Sequence, residues 1–206
     1  AVGMDSRIGA RFLNASIGFG GSCFQKDIMN LVYLCRHYGL EEIADYWESV
    51  VKINHYQQER FIRSMLGAMF NTLAGKKICL WGFAFKANTG DTRESPAIFI
   101  ARRLLEERAE IVISDPQALK NARKDLSGLE GHISYVEDPT LAAKDCHAIA
   151  VLTEWDIYRN LDFRKIYQTM MQPAFIFDGR NILDHRRCYT IGFNVYPVGK
   201  PPLTHF

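Results

Sequence analysis

Apolar residues change their spacing at Gly75, and that change limits the folds open to these 206 residues. Before Gly75 the spacing is helical. A polar, glycine-rich stretch, Ser16–Ser22, leads into Phe24, Ile28, Leu31, Val32 and Cys35 at steps of three and four, the period of one helix face. Gly39 stands where that helix needs a left-handed stop. From Glu41 to Asn71 no proline intervenes and Gly67 is the sole glycine, while Ile43, Trp47, Val50, Val51, Phe61, Met65 and Met69 keep the same period. One helix of about 30 residues, roughly 45 Å long, is predicted. A helix of that length needs a second partner surface. It reads either as a spine between two domains of one chain or as a subunit interface.

After Gly75 the apolar runs are short and rich in β-branched and aromatic residues. Lys77–Phe83, Ile111–Asp115, His147–Thr153, Phe175–Asp178 and Ile191–Tyr196 are predicted strands; Pro96–Arg108 and Phe163–Met171 are the clearest helices between them. Strands alternating with helices argue an α/β fold with a parallel, Rossmann-like sheet covered on both faces. Right-handed crossovers then make the C-terminal ends of the strands the ligand edge. The predicted organisation is a helical segment over 1–75, an α/β unit over 76–200 and a loose, proline-rich tail over 201–206.

Charge and composition remove several function classes. With 25 basic and 23 acidic residues the net charge is +2, too balanced for nucleic acid or an anionic membrane as main partner. No apolar run approaches the ~18 residues of a membrane span. Ala1–Ala10 lacks the charged start and apolar core of a signal peptide, and the opening AVGMDSRIG reads as the interior of a longer chain. Five cysteines, odd in number and without a Cys-x-x-Cys pair, indicate neither a disulfide framework nor a zinc or other metal site. A reducing cytoplasm is the expected compartment.

Two stretches carry chemistry. In Gly18–Asp27 (GFGGSCFQKD) three glycines let backbone approach a ligand, and Ser22 is the expected N-cap of the following helix. Cys23 then falls in the first turn, where the helix dipole favours a thiolate. Asp27 lies one turn on, with Lys26 beside it. A nucleophilic thiol with a carboxylate that positions water suits an acyl-enzyme mechanism; a small buried hydrophobe is the ordinary alternative for any free cysteine. Cys35, Cys79, Cys146 and Cys188 keep that ordinary reading. Gly82–Pro96 (GFAFKANTGDTRESP) follows the first strand and precedes a helix with Ser95 as N-cap and Pro96 at its first position. Lys86 and Arg93 flank this loop and suit a diphosphate or carboxylate, although an Asp91–Arg93 salt bridge is the default. Asp115 stands where dinucleotide folds carry their ribose-binding acid, but Gly-x-Gly-x-x-Gly is absent.

Together these two stretches resemble the nucleotide-sugar dehydrogenase family. DSRIGARFLNAS (Asp5–Ser16), TEWDIY (Thr153–Tyr158) and FIFDGRNIL (Phe175–Leu183) resemble further segments of the same enzymes in the same order, so the likeness runs from Ala1 to about Gly199. The resemblance implies that 1–75 is the central helical, dimerising segment with the catalytic loop, and 76–200 the UDP-binding domain. It implies NAD-dependent oxidation of the 6-hydroxyl of UDP-glucose, in two steps, to UDP-glucuronate. Cys23 matches the nucleophile that forms the thiohemiacetal and thioester, and Asp27 the carboxylate assisting hydrolysis. Asn14, Ala15, Ser16, Ile17, Gly18, Phe19 and Gly20 match the loop wrapping the sugar nucleotide, largely through backbone. Phe85, Lys86 and Arg180 match substrate contacts, and Arg7 an arginine reaching a neighbouring subunit's substrate. Cys23, Phe24, Gln25, Lys26 and Arg93 match positions touching NAD. At Asn14 animal relatives tend to carry Lys.

The family's NAD-binding domain precedes the matched region, so these residues alone are expected to be inactive. A homo-oligomer, at least a dimer through the long helix, is the implied assembly. Gln25, where sister enzymes for GDP-mannose or N-acetylated UDP-sugars commonly have Pro, favours UDP-glucose over those alternatives. The remaining alternative is a non-catalytic sugar-nucleotide-binding or dimerisation module, which would have no need of both Cys23 and Asp27.

Overall fold

A computed structural model describes residues 2–10, 13–129 and 131–206. Arg11 and Phe12, inside the DSRIGARFLNAS stretch, lie outside the described residues. Helix α1 (Phe24–His37) ends as predicted: Gly39 takes φ +71°, and the Leu40 N–H turns back to the Cys35 carbonyl. Helix α2 spans Glu41–Ala68, 28 residues. It stops short of Asn71 because Phe70 and Asn71 both adopt positive φ, a conformation no helix continues through. Ile28, Val32 and Cys35 of α1 pack on Ala44 and Val51 of α2, with Phe19, Leu31, Trp47 and Val50 around them.

Six parallel strands form one sheet in the order β3-β2-β1-β4-β5-β6. They are β1 (Lys77–Trp81), β2 (Glu110–Ser114), β3 (Ile133–Tyr135), β4 (Ala148–Val151), β5 (Phe175–Asp178) and β6 (Asn194–Pro197). In the centre Cys79 lies opposite Val112 on one side and Ile149 on the other. The helices are α3 (Pro96–Glu106), α4 (Leu119–Asp125), α5 (Pro139–Ala142), α6 (Phe163–Thr169) and α7 (His185–Ile191). Ser95 caps α3, its Oγ accepting from the Ala97 N–H with Pro96 at the first position. Phe61, Ile62 and Met65 of α2 are buried in the sheet's own core, with Met69 at its C-cap and Leu73 beyond it. Thus α2 belongs to two cores, the first half to α1 and the second half to the sheet.

Several sequence expectations shift. Ser22 does not cap α1; Cys23 occupies the cap position and no side chain bonds the free amides there. Ile191 closes α7 rather than opening β6, because Gly192 at φ +131° breaks between them. β3 was not anticipated. The tail differs from the loose segment its prolines suggest: Leu203 bridges antiparallel to Val195, the His205 N–H donates to Asn194 Oδ1, and the Phe206 ring meets Phe175 edge-on at 6.1 Å. Among the described residues no helix is long and apolar enough to cross a membrane, and no His, Cys, Asp and Glu cluster would hold a metal ion.

Candidate functional site

The strand order reverses between β1 and β4: the chain leaves β1 toward β2 on one side and β4 toward β5 on the other. Loops there diverge and open a crevice beyond the strand ends. Gly82 begins it, at φ +97° and pressed against Thr153. A side chain at Gly82 would collide with the Thr153 backbone, so glycine lets the two loops leave the sheet in contact.

Asp115, closing β2, builds the next part. It is 1% exposed, and its two oxygens accept five N–H groups: Phe83, Ala84 and Trp155 Nε1 on Oδ2, Gln117 and Ala118 on Oδ1. A carboxylate so engaged has no capacity left for a ribose, and the suggested ribose-binding role is corrected to a structural one. Asp178 does the same after β5. It accepts from the Arg180 and Leu183 amides and meets His185 Nε2 at 2.9 Å. Two buried acids therefore set the paths of the two loops that bear Phe85, Lys86 and Arg180.

The glycine loop of residues 16–22 lies across these loops, held from three sides. Asn54 of α2, 6% exposed, clamps the Phe19 peptide, Oδ1 accepting its N–H at 2.8 Å and Nδ2 donating to its carbonyl at 3.1 Å. The Gly21 N–H donates to the Arg93 carbonyl, and the Phe85 ring covers Gly21 so closely that a Cβ there would sit 3.0 Å from it. Ser16 Oγ accepts from Arg180 Nη1 at 2.6 Å. Ile17 is fully buried against Gly179 and is not part of the cleft lining.

An open cleft of about 1140 Å³ results, lined by Asn14, Ser16, Gly18, Phe19, Gly20 and Phe24 on one wall and by Phe85, Lys86, Glu154, Arg159, Arg180, Asn181 and Ile182 on the other. Ala15 is not part of the lining. Its charged groups are three cations and one carboxylate. The Lys86 ammonium sits 5.3 Å from the Phe85 ring centre. Arg180 is drawn well inside, and burial pulls its guanidinium below the usual arginine range while Glu154 and Asp178 oppose that shift. Arg180 Nε, Asn181 Oδ1 and Glu154 Oε2 are buried with no hydrogen-bond partner among the described residues; Glu154 Oε2 is ion-paired with Arg180 Nη2, which leaves Arg180 Nε and Asn181 Oδ1. Each such group costs about 1–3 kcal/mol unless something bonds it, so both favour a polar ligand. Glu154, Arg159 and Asn181 were not anticipated. TEWDIY and FDGRN carried them in the sequence, but their roles need the sheet order that brings β4 beside β5.

Cys23 is exposed at the N-terminus of α1, next to Phe24, with its Sγ 3.6 Å from Ser22 Oγ. Arg93 stands nearby, its pKa raised first by the Asp91 hydrogen bond and then by the Asp91 charge. Arg93 also forms the anticipated bidentate pair with Asp91, at 2.7 Å for the closest contact. Asp27 is exposed one turn along α1, and Gln25 and Lys26 lie between. The other four cysteines are buried. Arg7 is far more open, with 86% side-chain exposure and a 2.7 Å contact to Asp5.

Fold and cleft define a Rossmann-like α/β protein with a cleft bearing three cations at the sheet's switch point and an exposed thiol, Cys23, next in sequence to the cleft-lining Phe24. The UDP-binding-domain profile of the UDP-glucose/GDP-mannose dehydrogenase family matches residues 79–185, and that family's central-domain profile matches residues 1–56. The chain belongs to this family. It is 50% identical over 220 residues to UDP-glucose 6-dehydrogenase 1 of Arabidopsis thaliana, and 50% identical over 219 residues to UDP-glucose 6-dehydrogenase 3 of Oryza sativa subsp. japonica. Each match covers 98% of this chain and 46% of the relative, so the chain spans about half the length of these enzymes. The solved UDP-glucose dehydrogenase of Pyrobaculum islandicum superposes with TM-score 0.77 at 32% identity, covering 95% of this chain and 41% of that one.

Proposed function

We propose that this chain supplies the nucleotide-sugar side of an NAD-dependent UDP-glucose 6-dehydrogenase, and that these 206 residues bind UDP-sugar without turning it over. The observation that carries the reading is the pairing of Ser16 with Arg180, which places the glycine loop over a cleft bearing three cations. Lys86, Arg159 and Arg180 face the diphosphate there, the 16–20 backbone follows the sugar, and Phe85 supports the loop from below. The identity to plant UDP-glucose 6-dehydrogenases favours UDP-glucose over other nucleotide sugars.

Cys23 acts as the nucleophile. Its sulfur adds to the C6 aldehyde, whose oxygen takes up the thiol proton, to give a thiohemiacetal; loss of hydride from that carbon together with loss of the hydroxyl proton to solvent leaves a thioester. Asp27 takes a proton from the water that hydrolyses it, releasing the carboxylate product and the thiol. NAD, when bound, accepts the hydride in each oxidation. The residues here fit only one wall of a site for it: Cys23, Phe24, Lys26 and Arg93 present an exposed edge with Gln25 half-buried among them, while Asp115 is committed to backbone amides and the Trp155 indole and no Gly-x-Gly-x-x-Gly occurs. Arg7, extended into solvent, suits the substrate of a neighbouring subunit in a dimer formed through α2. Five unpaired thiols fit a cytoplasmic protein.

Titration calorimetry with UDP tests the reading. Binding on the order of 0.1 mM is expected, as for a micromolar site that has lost about 2–3 kcal/mol of ordering contacts. Lys86→Ala and Arg180→Ala should each weaken it. A folded sample with no detectable binding at several millimolar UDP would overturn the proposal.

A further inference from the structure

The cleft contains one carboxylate, Glu154, in a place read as holding a diphosphate. An acidic group there repels the ligand unless its charge is compensated. Its surroundings supply that compensation and suggest a task. Glu154 follows β4, the strand lying between β1 and β5. Its Oε2 is 2.5 Å from Arg180 Nη2, on the loop after β5. Its Oε1 accepts the Ala87 N–H at 3.3 Å, on the loop after β1 that bears Phe85 and Lys86. One side chain thus ties together the two loops that carry the cationic wall. Ser16 takes the Nη1 end of the same guanidinium, leaving Nε without a partner.

We propose that Glu154 is a positioning residue. It fixes the Arg180 guanidinium between itself and Ser16, so that this cation keeps one orientation in the cleft wall, and it holds the Phe85–Lys86 loop at the matching distance. Resting on the reading of the cleft as a UDP site, this inference adds a residue that acts through Arg180 rather than on the substrate. It also reverses the expectation from charge alone. Removing a negative group from an anion site should tighten binding by simple Coulomb attraction; if Glu154 orients Arg180, removing its charge weakens binding instead.

The test compares UDP affinity by calorimetry in the unaltered 206-residue chain, Glu154→Gln, Arg180→Ala and the double variant, with thermal melting of each. Glu154→Gln retains the shape and an acceptor for Ala87 and is expected to weaken UDP binding about tenfold, the range of a close coupled pair. In the Arg180→Ala background the same change should cause no further weakening, which a general structural defect would not reproduce. Should Glu154→Gln melt early, Ser16→Ala provides the second arm, because it releases the other end of the guanidinium and should weaken UDP in the same Arg180-dependent way. Equal or tighter UDP binding by a folded Glu154→Gln chain, or weakening that persists without Arg180, overturns the inference alone. Failure of the unaltered chain to bind UDP overturns the reading of the cleft and this inference with it.

Discussion

Arg180 and Ser16 stand 164 residues apart in sequence and 2.6 Å apart in space. Their bond joins a loop entering α1 to the loop leaving β5, and everything placed in the cleft lies between those two segments. The bond is long-range and needs both β5 in place beside β4 and α2 docked on the sheet, so the integrity of the cleft reports on both cores at once.

Cys23 is expected to be alkylated by iodoacetamide at least about tenfold faster than any other cysteine, because thiolate availability and exposure govern the rate. It is the exposed thiol at a helix N-terminus. Cys188 is pushed up to about 12 by burial, and burial likewise raises Cys79. Peptide mapping after a short, native-state reaction gives the order of labelling. Modification of Cys35, Cys79, Cys146 or Cys188 ahead of Cys23 would remove the nucleophile assignment.

Replacing Asp115 by Asn should destabilise the chain by about 3–5 kcal/mol, the cost of breaking a buried charged network. Asn offers one acceptor oxygen, and its amide hydrogens would face at least two N–H donors now bonded to the second oxygen or the first. Denaturant unfolding of the two proteins measures the difference. A loss below about 1 kcal/mol, the scale of one ordinary hydrogen bond, would show that the five N–H groups find other partners.

Stability should fall on mild acidification, and His147 should account for part of it. Its ring is held below the ordinary value of 6.5, first by burial and then by the Lys76 charge, while Nδ1 accepts the Lys77 N–H. A histidine with a depressed folded pKa contributes fully above the unfolded value, and that contribution is lost as pH falls through the folded one. Denaturation midpoints taken at about pH 7.5 and about pH 5.5 should therefore drop, and drop less in His147→Asn, which retains an acceptor without a proton to gain. Parallel pH dependence in the two chains would exclude His147 as a source.

Self-association is expected through α2. Ile43, Tyr46, Ile53 and Tyr56 stay 49–65% exposed along one side of it, away from the buried face formed by Ala44, Val51, Phe61 and Ile62. A continuous apolar stripe of that kind is rare on a monomer surface. Ile53→Glu should shift the chain toward monomer in equilibrium sedimentation with little change in melting. Trp47 is a poorer probe, because it packs half-buried on the α1–α2 core and its replacement by Glu should also cost stability. A monomer at micromolar concentration in the unaltered chain would refute the dimer.

What the sequence displayed, and what it hid, divides on physical grounds. The central strands were legible because a strand buried on both faces is a continuous apolar run, as in Phe175–Asp178. Ser95 and Pro96 were legible because capping chemistry is local. β3 was not: Ile-Ser-Tyr is three residues on the sheet edge, only partly covered, and no periodicity can be seen over that length. The end of α2 was hidden because Phe70 and Asn71 take positive φ without a glycine to announce it. In the site, Cys23 and the glycine loop stood out by composition, whereas Asp115 looked like a ligand group until its five donors were counted. Glu154 had no local mark at all, since its partners are 67 residues back at Ala87 and on a different strand's loop at Arg180.

The unbroken course of α2 has a kinetic meaning. Asn54 in its middle grips the glycine loop, and Phe61 to Met69 farther along are embedded under the sheet. Both jaws of the cleft are therefore mounted on one stiff rod, and no hinge lies between them. Ligand entry is then expected to proceed without swinging one jaw from the other, past the exposed side chains of Lys86 and Arg159. Uptake of UDP should then follow a single exponential whose rate rises linearly with concentration, without the plateau that a slow opening step imposes.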